Sequence, residues 1–144
     1  MTRKQRRILN KKSNGKTSKE GLKWSYKDKD MNNDTYILRT QVMSVIYDLK
    51  QSIPNLPRVE IRISDMVGAS GLGWFGQNVI RISSKYCNHK SLRNIVYHEL
   101  GHAVLGLSHN EDCPLMASGT KELSCHNISS DEGKRIFIKL YNNQ

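Results

Sequence analysis

The chain is poor in cysteine and has no long apolar run. Three cysteines in 144 residues cannot build a disulfide scaffold. No stretch approaches the roughly 20 apolar residues that a membrane span needs, so an integral membrane protein is not expected. The opening MTRKQRRILNKK is basic, but no apolar run follows it, so a secretory signal peptide is not expected either. There are no internal repeats, which argues against a solenoid. An odd cysteine count without a signal peptide favours reduced thiols, although Cys113 and Cys125 are spaced to bridge a loop. The host compartment stays open.

What is present suffices for one folded domain. The chain is 37% hydrophobic, 7% aromatic and 25% charged, too apolar to be disordered throughout and long enough to bury a core. The formal net charge of +10 comes from 23 basic and 13 acidic residues. It is unevenly placed. Residues 1–20 carry eight basic residues and one acid; residues 21–144 carry fifteen and twelve. The expected organisation is therefore a basic, disordered leader over 1–20 and a domain over 21–144. The leader has three readings: a contact for nucleic acid, an anionic membrane surface or an acidic partner; a propeptide; or a plain solvated extension. It has no aromatic residue, so base stacking has nothing to work with.

The periodicity predicts a mixed α+β fold. GLKWSYK at 21–27 reads as a first strand. Residues 34–51 read as a helix with Leu38, Val42, Val45, Ile46 and Leu49 on one stripe. Asn33 or Asp34 can cap its start, and Pro54 prevents its continuation. Residues 58–64 alternate, with Val59, Ile61 and Ile63 on one face, as in a half-buried strand. Residues 78–84 read as another strand. A buried helix is expected over 90–106, stopping before Gly106. Residues 107–128 look irregular, and a last helix starts at Ser129, with Glu132 at capping-box spacing.

The chemistry lies in His98-Glu99-Leu100-Gly101-His102. On a helix, residues four apart share a face, so both imidazoles can ligate one zinc ion. Glu99 then stands beside the metal without being a ligand, in reach of a water, as a general base should. By composition a chance HExxH in this chain has a probability of about 0.7%. Leu92, Ile95, Val96, Leu100, Ala103, Val104 and Leu105 make the helix apolar almost all round. Two histidines on such a helix need partners, which a metal would supply; a hydrogen-bonded pair of core histidines is the plainer alternative. Catalytic zinc takes three protein ligands and a water. His109, three residues beyond the turn-permitting Gly106, is the candidate third ligand. Asp112 is the main substitute, ahead of Glu111 and Cys113. His89 and His126 are expected at the surface.

HELGHAVLGLSHNEDCPLM resembles the metzincin clan of zinc endopeptidases, whose pattern is HExxHxxGxxH followed by a Met-turn. WSYK, GLGWFGQNVIRIS and ISSDEGKRIFIKLY resemble the first strand, the edge strand with its successor, and the closing helix of the matrixin branch. The likeness spans most of 21–144, and only the histidine region is specific. One departure stands out. Three residues (Ala103, Val104 and Leu105) separate His102 from Gly106, where the clan has two. The resemblance implies a twisted sheet of four to five strands, an active-site helix, a Met-turn loop and a C-terminal helix. It implies zinc on His98, His102 and His109, catalysis by Glu99, and Met116 as packing under the metal. No tyrosine follows Met116, so the fifth-ligand tyrosine of some branches is absent. It further implies peptide or protein substrate along Gly71, Leu72, Gly73, Trp74 and Phe75; a flexible hairpin loop is the competing reading of that segment. Two other classes of function stay open: a catalytically silent zinc-binding structural or assembly protein with a basic tail, and a tail-driven binding protein with nucleic acid or membrane as partner.

Overall fold

A computed structural model describes residues 33–64, 71–118 and 124–144. The chain divides into two compact units, Met1–Tyr36 and Ile37–Gln144. Of the first, only residues 33–36 are described, and they form the opening turn of a helix. The expected leader and the strand at 21–27 lie outside the described residues. The fold and the candidate site lie in Ile37–Gln144.

Helix α1 runs over Asn33–Ser52. It begins at Asn33, so Asn33 and Asp34 sit inside its first turn rather than ahead of it; Asp34 there is favourable to the helix dipole. The helix stops two residues before Pro54. Its stripe Leu38, Val42, Val45 and Leu49 is buried. A three-stranded sheet follows: β1 Glu60–Ser64, β2 Gly71–Trp74 and β3 Val79–Ser83, in the order β1-β3-β2. β1 pairs parallel with β3, and β2 pairs antiparallel with it. The expected alternation holds in β1, where Ile61 and Ile63 are buried while Glu60 and Arg62 are exposed. Among the described residues β2 is an edge strand, so the segment of Gly71–Gly76 is part strand and part turn.

Helix α2 spans Leu92–Ala103 and helix α3 spans Ser130–Asn142. All residues of α2 except Arg93 are buried, as its all-round apolar sequence requires. α3 starts with half a capping box. Ser129 Oγ accepts from the amide of Glu132, while the Glu132 carboxylate pairs with Arg135 instead of reaching back. Among the described residues between these helices the chain is irregular apart from a 3-10 turn at Cys125–Asn127. One contiguous core joins the α1 stripe, Ile61, Ile63, Ile80 and Ile82 of the sheet, Ile95, Val96 and Leu100 of α2, and Phe137 of α3.

Two relationships hold the helices in place around the site. Asp48 of α1 accepts from Arg93 of α2 at 3.0 Å and from Lys134 of α3 at 2.9 Å. These cations, Lys134 first, hold its carboxyl below the usual range. The ion pairs are half exposed, so their weight lies in geometry more than in energy. Gly133 of α3 lies against Asn94 of α2, and a Cβ there would collide with the Asn94 amide. Asn94 Nδ2 in turn faces the carbonyls of Cys125, Ile128 and Ser129 at 2.9–3.2 Å. Held in this way through Nδ2, while its Oδ1 is buried with no hydrogen-bond partner among the described residues, Asn94 ties the chain between the 3-10 turn and α3 to the turn of α2 just before His98.

Candidate metal centre

The site grows from one helix and the two loops that follow it. His98 and His102 occupy successive turns on one face of α2, and both are buried. Past Ala103 the chain leaves the helix and returns His109, which is exposed, to the same place. The three ring centres stand 4.8 Å (98–102), 5.3 Å (98–109) and 4.9 Å (102–109) apart. One nitrogen from each ring falls within 4.8 Å of the others, and the trio could hold a metal ion. It is the sole such group of three or more His, Cys, Asp or Glu side chains among the described residues. Asp112, Glu111 and Cys113 are not in it. The Asp112 amide is held by Asn110 Oδ1, and Glu111 Oε2 accepts from the amide of Ser118.

Backbone carbonyls orient the two helical imidazoles. His98 Nδ1 lies 2.6 Å from the carbonyl oxygen of Leu115, and His102 Nδ1 lies 2.6 Å from that of Leu107. A carbonyl only accepts, so each Nδ1 carries the proton and each Nε2 presents a lone pair. Those two Nε2 atoms face one another at 3.2 Å. With both Nδ1 atoms protonated, neutral rings have no hydrogen to share between the Nε2 atoms. Two lone pairs pointed together are stabilised by a cation, and carbonyl-fixed histidines are the usual support of a metal ligand. Burial is the main reason that the His98 pKa is pushed down to about 4 from an ordinary 6.5, and burial lowers His102 as well. Both rings therefore stay neutral, as metal ligation needs.

Glu99 is the second unsatisfied feature. It is 5% exposed, and its Oε1 is buried without a hydrogen-bond partner among the described residues. Burial pushes its pKa up to about 8. A carboxyl left so is costly unless something at the site uses it. The buried Cys125 thiol is pushed up to about 11, chiefly by burial and then by the nearby Glu99.

The two loops explain how His109 and Met116 arrive. The helix ends at Ala103, and Val104 and Leu105 lead into the turn at Gly106. Gly106 takes φ +68, its amide donates to His102 four residues back, and the Leu107 amide donates to Gly101 six residues back. A Schellman cap uses intervals of three and five. Each bond is one residue longer here, which makes a wider turn before the chain reaches His109. The following loop closes by a bond from the Asn110 amide to the carbonyl of Met116 at 2.9 Å. This places Leu115 at His98 and buries Met116 against Gly101, where a Cβ would stand 2.5 Å from the Met116 sulfur. Met116 is thus packing beside the histidine helix.

The edge strand borders the site. The Gly76 amide donates to the carbonyl of His102, and the Asn78 amide to that of Ala103. Phe75 lies with its ring centre 5.3 Å from that of His102 and is 59% exposed. The register sets Gly71 opposite Ile82 and Gly73 opposite Ile80, both buried. These glycines share the pleat with residues of the core, and α2 packs closely on β2. The side chains of Leu72 and Trp74 lie outside what is described.

His89 and His126 are exposed as expected, and they stand together, 6.4 Å apart beside Tyr86. The residues that sequence reasoning missed are Asn94 and the carbonyls of Leu107 and Leu115. Asn94 had a signal: one amide within an apolar run, a turn before His98. The carbonyls had none, because any residue supplies one. All three cysteines are free, and no described helix is long and apolar enough to cross a membrane. No protein family, curated protein or solved structure matches the chain, so the chemistry of these residues stands by itself.

Proposed function

We propose that the protein is a zinc-dependent endopeptidase of the metzincin type, with His98, His102 and His109 as ligands and Glu99 as the base. The observation that carries the reading is the pair of Nε2 atoms facing each other at 3.2 Å, with His109 completing the trio; the residue after His98, Glu99, has a buried Oε1 without a hydrogen-bond partner among the described residues. Zinc–nitrogen bonds of 2.0–2.1 Å at a tetrahedral angle separate two ligand nitrogens by about 3.3 Å. Three imidazoles that no fourth His, Cys, Asp or Glu joins among the described residues suit catalytic zinc, whereas structural zinc closes all four places with protein ligands. That distinction favours an enzyme over a silent zinc module. The described three-stranded sheet with its antiparallel edge strand is compatible with the larger sheet of that clan.

Zinc at this centre would supply a Lewis acid that polarises the scissile carbonyl and makes the attacking water more acidic. The residues do the rest. The carbonyls of Leu115 and Leu107 keep Nε2 of His98 and His102 directed at the centre. Glu99 takes a proton from the water as its oxygen bonds to the carbonyl carbon. It then delivers that proton to the amide nitrogen as the C–N bond breaks, leaving a carboxylic acid and an amine, and the remaining acid proton passes to the amine to give carboxylate and ammonium. Burial alone would keep Glu99 protonated up to about pH 8; a dication beside it favours the ionised form that a base requires. An extended peptide would lie along β2, adding to its open edge, with Phe75 beside the reacting bond.

Metal analysis of protein purified without chelator, together with digestion of a peptide library by the same sample, tests the reading. Near one zinc per chain with cleavage is expected. Stoichiometric zinc without turnover would leave the silent module, and absence of any metal would remove both.

A further inference from the structure

Phe75 is a large apolar side chain in an unusual place. It is 59% exposed and lies outside the hydrophobic core. The other strongly exposed aromatic of this unit, Tyr47, sits on α1 and makes no ring contact with the histidine trio. Phe75 alone reaches the candidate centre, through its contact with His102. Its backbone is held firmly. The edge strand ends at Trp74, and the turn that follows is bonded to the last residues of α2 by the amides of Gly76 and Asn78. Gly76 and Asn78 both adopt positive φ, +66 and +57, which fixes the shape of the turn. A flat, apolar ring on a fixed turn loses little conformational entropy when something packs on it.

Resting on the peptidase reading, we propose that Phe75 is a specificity-determining residue. Its exposed face receives a large apolar or aromatic side chain of the substrate, within two residues of the bond that is cut. The reach follows from spacing. The Phe75 ring stands 5.3 Å from a ring at the reaction centre, and an extended peptide advances about 3.4 Å per residue. The chemistry follows from the ring, which offers dispersion and edge-to-face contact and no charge or hydrogen bond. An acidic or basic side chain gains nothing there and would be desolvated.

The test is digestion of a proteome-derived peptide library by the zinc-loaded full chain and by its Phe75→Ala, Phe75→Tyr, Phe75→Leu and Tyr47→Ala variants, read as residue frequencies around each cut. Wild-type cuts should carry an excess of Leu, Met, Phe or Tyr at one position within two residues of the bond. Phe75→Ala should flatten that excess and lower kcat/KM on the best peptide about tenfold, through KM. Phe75→Tyr should keep both, and Tyr47→Ala should resemble wild type. Phe75→Leu guards against a folding defect in the alanine variant; it should retain zinc and shift the preference from aromatic to aliphatic side chains. In a Glu99→Gln background, titration of the best peptide should show about tenfold weaker binding when Phe75→Ala is added. A Phe75→Ala profile and affinity equal to wild type would overturn the role of Phe75 and leave the peptidase standing. A wild-type protein that cuts no peptide overturns the peptidase reading, and this one with it.

Discussion

The amide of Leu107 donates to the carbonyl of Gly101 at 3.0 Å, six residues back along the chain. This bond closes the turn over the three residues between His102 and Gly106, and the Leu107 carbonyl lies at His102 Nδ1. One loop therefore both orients the second histidine and delivers the third.

His109→Ala should weaken zinc binding far more than Asp112→Ala. His109 is in the trio, while Asp112 is exposed and outside it. Competition titration with a chromogenic chelator measures both. The reverse order would move the third ligand to Asp112.

Glu99→Gln should retain zinc and lose two to four orders of magnitude in peptide hydrolysis, the usual worth of a general acid–base residue. The amide keeps the shape of the side chain and cannot accept the proton. Wild-type turnover in this variant would end the proposed mechanism.

Chelator-treated protein should show a two-sided pH dependence of stability. Glu99 has a folded pKa near 8 against an ordinary 4.5, so the folded state holds its proton longer. Its contribution is complete below pH 4.5 and is lost as pH rises toward 8. His98 works in the opposite sense. Its folded pKa of about 4 lies below 6.5, so stability is lost as pH falls from 6.5 to 4. The two slopes offset each other between about pH 4.5 and 6.5 and leave an alkaline decline above it. At about 1.4 kcal/mol per pH unit that decline is about 2 kcal/mol by pH 8. Urea unfolding across pH should show it in wild type and not in Glu99→Gln. An equal decline in both would mean that Glu99 is ionised in the folded, metal-free protein.

Gly133→Ala should destabilise the fold by about 1–3 kcal/mol, the usual cost of overpacking. The new Cβ would enter the Asn94 amide, which is fixed by three carbonyls and cannot yield cheaply. Because Asn94 lies one turn before His98, zinc affinity should fall as well. Thermal unfolding and zinc titration together check this, and an unchanged melting temperature would refute the packing argument.

Much of this protein could be read before its structure. The HExxH spacing puts His98 and His102 on one helical face whatever surrounds them, because the α-helical period is a local property. The stripe of α1, the alternation of β1 and the Ser129 cap are local in the same sense, and each appears where its pattern falls. The use of Gly71 and Gly73 was not legible. A glycine pair marks close approach, but the partner that approaches is a long-range matter, and the local pattern says only that the two share one face of β2.

Residue types and spacings by themselves determined that a helix would carry two imidazoles and a carboxyl side by side. Tertiary structure decided which nitrogen each imidazole offers, through the carbonyls of Leu115 and Leu107. It also decided that the helix would end at Ala103 in a wide turn, and that Phe75 would rest beside His102. The physical reason is range. Helical periodicity acts within four residues, whereas the contacts that aim and border the centre join separate segments once the core has brought them together.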